Sequence, residues 1–379
     1  MIRSAIVHIG LEKTGSTAIQ KSLKANRKNL SQRGFLFPKS PGRTNHTDIV
    51  AACMDDDVVD DIKSHCLATS KMNAVDFRRK FESEFACELA KTPDWHTLII
   101  SSELISSRLH QQSEVGRLIN LLRQYVSNIK IVVFLRRQDR LAVSRFSSAL
   151  RSGVSDFNAV FKDLSNTTFQ TYPASQNRSD MNEYYDFERI LSRFQDLGSD
   201  VSIEPQIYDP PTGKTAVIAD FYKVLGLDEK DMQKPPKGDK HNEAMSVSAQ
   251  FVVAALNSEF PFLEDSGIRD RARQKMIQKI EGQLGGEKRN VTREEAIKFY
   301  MQFKTGNENI RQIYFPHTEN LFDMSFEEYP TDVTYHDLPN ELSDKMMGYH
   351  SELKRKKKNR QRADQFKSIF RNLVSRKNH

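Results

Sequence analysis

The chain opens on a short apolar run, SAIVHIG, that reads as a buried parallel strand. It turns at once into a glycine-bearing loop and then into STAIQKSLKANRKNLSQRG, where Ile19, Leu23 and Leu30 return on roughly one helical face and Gly34 is a stop. Strand, tight loop and helix in that order open a βαβ unit. RTNHTDIVAA begins another helical region, and FRRKFESEFACELAK is an amphipathic helix through Phe77, Phe81, Phe85 and Leu89. WHTLIISSE then reads as a strand, EVGRLINLLRQYV as a helix, IKIVVFLRR as a β-branched buried strand, and RLAVSRFSSALRSG as a helix closed by Gly153. This alternation predicts an α/β domain on a parallel sheet. It sets the loops LEKTGST, SSE and RRQD at the carboxyl ends of successive strands, where open α/β sheets hold ligands.

Residues 154–183 are rich in Asn, Ser and Thr and read as a long surface excursion. A helix follows within YDFERILSRF, then a strand or two in DVSIEPQIYDP and a helix, AVIADFYKVLGL, ending at Gly226. Beyond KPPKGDKHNEAMS the pattern is helical, broken by FPFLEDSG and GQLGGEKRN, with no internal repeat. The expected division is an α/β domain with helical additions over 1–335 and a basic tail over 336–379.

Charge changes this picture only at the end of the chain. Residues 351–379 hold eleven Lys or Arg against two acids, a net of +9, whereas the rest carries −2. Basicity is therefore a property of the tail and not of the body. There Phe366, Ile369, Phe370, Leu373 and Val374 recur at helical spacing beside the cationic run. Such a segment either packs on the body or docks on an anionic membrane or polymer; no specific nucleic acid is expected. Three cysteines at separations of 13 and 21 form neither a zinc spacing nor a disulfide framework and fit a reducing compartment. No apolar stretch approaches the roughly 20 residues of a membrane span, and the amino terminus lacks a signal-type apolar core. The expectation is a cytoplasmic protein.

The loop Gly10-Leu11-Glu12-Lys13-Thr14-Gly15-Ser16-Thr17 has the glycine spacing of a nucleotide-phosphate loop, but Ser16 stands where a Walker lysine belongs, and Lys13 lies three positions earlier. Amides in such a turn form an anion nest at a helix start, to which the Ser16 and Thr17 hydroxyls can add donors and Lys13 a positive charge. The strand KIVVFLRRQD ends in Arg136 and Arg137, where a magnesium-dependent kinase needs a carboxylate. Positive charge there repels a metal and welcomes a second phosphate, so no metal is expected. Glu103 can imitate a magnesium carboxylate, which keeps a P-loop small-molecule kinase as the enzyme alternative. A non-catalytic anion-binding or scaffold protein is the other.

IGLEKTGSTAIQ and VFLRRQDRLAVSRF together resemble the two cofactor motifs of sulfotransferases that use 3′-phosphoadenosine 5′-phosphosulfate, the bacterial carbohydrate-type members above all. The resemblance runs from residue 1 to about 330. It implies a parallel sheet of P-loop nucleoside-kinase-like type with additional C-terminal helices. It also implies transfer of a sulfuryl group to a hydroxyl of a carbohydrate or glycoconjugate. In that family the first loop, P-K-x-G-T/S-T, cradles the 5′-phosphosulfate; Lys13, Thr14, Gly15, Ser16 and Thr17 occupy it here, with Glu12 where proline is common. An arginine and a serine eight residues later hold the 3′-phosphate, and Arg136 and Ser144 keep that separation.

Negative charge grows on the departing phosphate oxygen, and Lys13 can meet it without a metal. Arg136 offers a planar fork to a phosphate monoester, while strand alternation turns Arg137 the other way, to the surface or a supporting position. The general base is either Glu103, at the end of a strand facing the same edge as Lys13, or His46 in GRTNHTDIV. His46 can equally be a helix cap or a contact to the sugar. The family's R-K-G-x-x-G lid is absent as such. PKGDKHNEAMS offers Lys237, Gly238, Lys240 and Asn242, either as a cover over the nucleotide or as a hydrated linker.

Overall fold

The computed structural model describes residues 3–158, 160–161, 184–208, 216–234, 244–262, 270–333 and 342–359. Among the described residues five strands, β1 (Ser4–His8), β2 (Phe35–Leu36), β3 (Thr97–Ser101), β4 (Asn128–Leu135) and β5 (Val201–Ile207), form one sheet in the order β2-β3-β1-β4-β5. Every pairing is parallel. Parallel neighbours need crossover connections, and helices supply them, so β1, β3 and β4 are covered and almost wholly apolar. His8 at the end of β1 stands opposite Ser101 on one side and Val132 on the other. That register brings the glycine loop beside the end of β3 and the end of β4, as the alternation predicts.

The helices in chain order are α1 (Ser16–Ala25), α2 (Arg27–Gln32), α3 (Thr47–Cys53), α4 (Asp61–Ser70), α5 (Ala74–Lys91), α6 (Leu104–Arg108), α7 (Gln112–Arg123), α8 (Gln138–Arg151), α9 (Phe187–Ser192), α10 (Ala216–Val224), α11 (Val247–Asn257), α12 (Arg271–Gln283), α13 (Arg293–Met301) and α14 (Lys304–Tyr314). A further helix, α15, covers 342–359. Contacts divide the chain into two units. The first, Met1–Arg145, Tyr172–Lys240 and Ile297–Ser325, holds the sheet; the second is Phe146–Thr171, His241–Ala296 and Phe326–His379.

In the first unit the helix after the glycine loop is not continuous. Asn26 interrupts it, because its side-chain amide donates to Ser22 O and to Gln233 O, both at 2.9 Å, and its Oδ1 accepts from Gln233 N–H. A side chain that bonds backbone in this way offers the chain an alternative to helix. The core on that face joins Ile19 and Leu23 to Ile99, Phe134, Val217 and Phe221. In α5, Phe77, Phe81, Phe85 and Leu89 are buried as their spacing predicts.

In the second unit Arg273 is buried and donates to the carbonyls of Leu150 and Arg151 and to Asn257. Leu342, Tyr349 and Leu353 form the buried stripe of α15. The apolar stripe expected at 366–374 and the segment with Lys237, Gly238, Lys240 and Asn242 lie outside the described residues. Among the described residues no helix is long and apolar enough to cross a membrane.

Candidate functional site

The loop after β1 is held from within. Gly10 has φ +100°, and a Cβ there would fall 2.8 Å from Glu103 Cα, so glycine lets the loop lie against the end of β3. Gly15 has φ +85°, and a Cβ on it would meet Val217 Cγ1 at 2.6 Å. The Leu11 carbonyl accepts from Thr14 Oγ1 at 2.7 Å and from Ser16 Oγ at 2.8 Å. Both hydroxyls are thus engaged within the loop. Thr17 is exposed at the start of α1.

No side chain caps that helix. Its first backbone bonds run from Ala18 and Ile19 N–H to Gly15 O, so the amides of Ser16 and Thr17 precede the ladder. An uncapped helix start of this kind is suited to an anion.

Lys13, half-buried with φ 64°, sits inside the loop. Arg136, just after β4, donates from Nη1 to the Lys13 carbonyl at 3.0 Å, and its guanidinium lies 5.5 Å from the centre of the Tyr208 ring. The two sequence motifs are therefore joined by a hydrogen bond. Ser144 is half-buried on α8. Arg137 is not a surface residue: it is 1% exposed, grips Asp139 with two bonds of 2.8 and 2.9 Å, and donates to the carbonyls of Asp323 and Ser325. A paired, fully bonded arginine of this sort supports the strand end.

Glu103 follows β3 and is half-buried. Gln20 Nε2 donates to its Oε2 at 2.7 Å, and Asn45 Nδ2 to its Oε1 at 3.0 Å; Ser102 Oγ in turn donates to Asn45 Oδ1 at 2.6 Å. Burial raises the proton affinity of this carboxyl, and nearby Glu12 adds to the effect, while the Gln20 bond and Lys13 oppose it. The group is a fixed carboxyl with a raised pKa beside a lysine.

His46 is fully buried and stacked on Phe37, with ring centres 4.5 Å apart. Its Nδ1 accepts from Ser101 N–H at 3.2 Å, which leaves Nε2 to donate to Pro38 O, also at 3.2 Å. Burial above all, with Arg27 adding, lowers its pKa to about 3. Its one basic lone pair is engaged by the backbone.

Three features of the site escape sequence reading. Gln20 and Asn45 orient Glu103; Gln20 lies one helical turn beyond Ser16, which is the only signal for it. The third is the pairing of Glu12, which stands where the family's proline is common. Arg145 Nε lies 3.5 Å from its carboxylate and stacks over Tyr184 with its guanidinium 3.8 Å from the ring centre, while the Tyr184 hydroxyl accepts from Glu12 N–H at 2.9 Å. Burial would raise the Glu12 pKa, but Arg145, then Arg108, Lys13 and the Ser107 hydroxyl, bring it below the ordinary value. The extra carboxylate in the loop is thus ionised and matched by an arginine. Among the described residues no cluster of His, Cys, Asp or Glu is arranged to hold a metal ion.

No family model matches the chain. It is 28% identical over 208 residues to an uncharacterized protein of Archaeoglobus fulgidus, a match covering 52% of this chain and 49% of that protein. The chain thus spans about half the length of the curated relative it matches. Among solved structures, a sulfotransferase domain from the curacin biosynthetic pathway aligns with 80% of this chain and 97% of its own, at 11% identity and a TM-score of 0.33.

Proposed function

We propose that the chain transfers a sulfuryl group from 3′-phosphoadenosine 5′-phosphosulfate to a hydroxyl of a carbohydrate or glycoconjugate. The observation that carries this reading is the bond from Arg136 to the Lys13 carbonyl, which ties the cation at the end of β4 to the loop after β1. The donor set fits a nucleotide with two separate anionic groups. An uncapped helix start and Lys13 serve one anionic group, and Arg136 with Ser144 on the next helix serves another.

When bound, the donor supplies an activated sulfuryl group and a phosphate leaving group. Lys13 offers its ammonium to the oxygen on which charge accumulates, an interaction that strengthens toward the transition state. Glu103 takes the proton of the attacking hydroxyl, because its raised pKa makes it a stronger base than an ordinary carboxylate. Gln20 and Asn45 hold that carboxylate in one orientation. His46 serves as a buried brace between Ser101 and Pro38, with no lone pair left to accept a proton.

Titration of the purified protein with adenosine 3′,5′-bisphosphate, beside ATP with and without magnesium, tests the reading. Tight, magnesium-independent binding of the bisphosphate is expected. Binding of magnesium-ATP alone would replace it with the kinase reading.

A further inference from the structure

In the second unit, α15 lies antiparallel along α12. Tyr349 Oη donates to Gln283 Oε1 at 2.9 Å, Lys279 Nζ meets Glu352 at 2.6 Å, and Lys357 Nζ meets Asp270 at 2.8 Å, so contacts climb one helix as they descend the other. Along this seam runs a groove of about 600 Å³ lined by Lys279, Gln283, Lys345, Gly348, Tyr349 and Glu352. Arg271 and Lys275 continue the exposed face of α12 that carries Lys279, because the three follow at four-residue spacing. On α15, Lys356 reaches the same Glu352 at 2.7 Å. One carboxylate therefore serves two lysines, while Asp270 is taken by Lys357. Exposed Asp344, next to Lys345, leaves the positive excess standing.

We propose that this seam is a docking surface for anionic lipid membranes, with phosphate headgroups met by Lys279 and Lys345 in the groove and by Lys275 and Arg271 on the adjoining exposed face of α12. Charge complementarity selects an anionic partner, since each exposed cation gains from a negatively charged surface and from the counterions it releases there. Apolar positions select a membrane over a soluble polyanion. The sequence that follows α15 repeats Phe and aliphatic residues at helical spacing among further cations. A soluble polyanion has no use for such residues, whereas a lipid surface accepts them. The seam shares no residue with those assigned to sulfuryl transfer, so the proposal stands or falls independently of that activity.

The test is sedimentation of the full chain with phosphatidylcholine vesicles, with and without phosphatidylglycerol, at low and high salt. Binding is expected only to the anionic vesicles and is expected to weaken steeply with salt. The double variant Lys275→Glu, Lys345→Glu, whose side chains are both exposed, should lose about tenfold or more of the vesicle binding. Its circular dichroism and its binding of adenosine 3′,5′-bisphosphate should match the parent. Equal binding to neutral vesicles, or undiminished binding by the double variant, would overturn the proposal. Retention on dextran sulfate without binding to anionic vesicles would overturn it in favour of a polyanion site.

Discussion

The Gln20 side-chain amide donates to Glu103 Oε2 at 2.7 Å, linking the helix that starts at the glycine loop to the residue two positions beyond the neighbouring strand. The bond stabilises the ionised carboxylate and so opposes the burial that raises its pKa. Gln20→Met keeps the length of the side chain and removes the donor. The carboxyl should then hold its proton to higher pH, and the acid limb of the kcat/KM profile should move upward. Each unit of displacement costs about tenfold in rate on that limb, with the loss recovered at higher pH. An acid limb that stays in place would separate Glu103 from the proton transfer.

The parts of this site that were legible in the sequence are those written in the local pattern. A buried parallel strand is a short apolar run, so β1, β3 and β4 could be read, and with them the edge that gathers Lys13, Glu103 and Arg136. What could not be read depends on bonds between distant positions. Asn26, where the first helix breaks, bonds Gln233 as well as its own helix, and Gln233 lies 207 residues away in the chain. The bond of the Ser16 hydroxyl to the Leu11 carbonyl appears only once the loop has curled back on itself. Arg137 resembles half of a solvated pair, yet Asp139 and two carbonyls from the far end of the first unit enclose it.

Glu103→Gln preserves size and can still meet Asn45 or Gln20, but cannot accept a proton as a carboxylate. Single-turnover rates should fall by roughly 100-fold or more, with the affinity for adenosine 3′,5′-bisphosphate retained. A rate near that of the parent would leave proton removal to the substrate or to another group.

For Lys13 the expected loss is in turnover. Its φ of 64° costs alanine and lysine alike, so Lys13→Ala tests the ammonium and not the turn. Removing a donor focused on a developing charge costs about 3 to 4 kcal/mol in barrier, some 10²–10³ in kcat. Product nucleotide should bind only modestly less well. Equal losses in affinity and turnover would mean that Lys13 binds ground state and transition state alike.

Arg136→Ala should weaken adenosine 3′,5′-bisphosphate strongly and adenosine 5′-phosphate little, since only the first carries the group assigned to Arg136. The bond to Lys13 O adds a control, because losing it would loosen the loop for both nucleotides. Calorimetry with the two ligands separates the cases. An equal drop for both would make Arg136 a brace for the glycine loop and remove it from the 3′-phosphate.

Acid stability offers a test free of any assumption about activity. Burial lowers His8 and His46 to about 3 from an ordinary value near 6.5, so both rings are neutral in the native state and charge more readily when unfolded. A lowered folded value makes its contribution to stability complete above about pH 6.5 and withdraws it as pH falls toward 3. At 1.4 kcal/mol per unit, His46 should cost the protein about 3 kcal/mol between neutral pH and about pH 4. His46→Asn can still accept the Ser101 N–H but loses the stacking on Phe37, so it should be less stable at neutral pH. Because the variant carries no titrating ring, its deficit should shrink by about that amount on acidification, measured by urea unfolding at the two pH values. A deficit independent of pH would mean that His46 is protonated, or reached by water, in the folded protein, and would reopen its candidacy as a base.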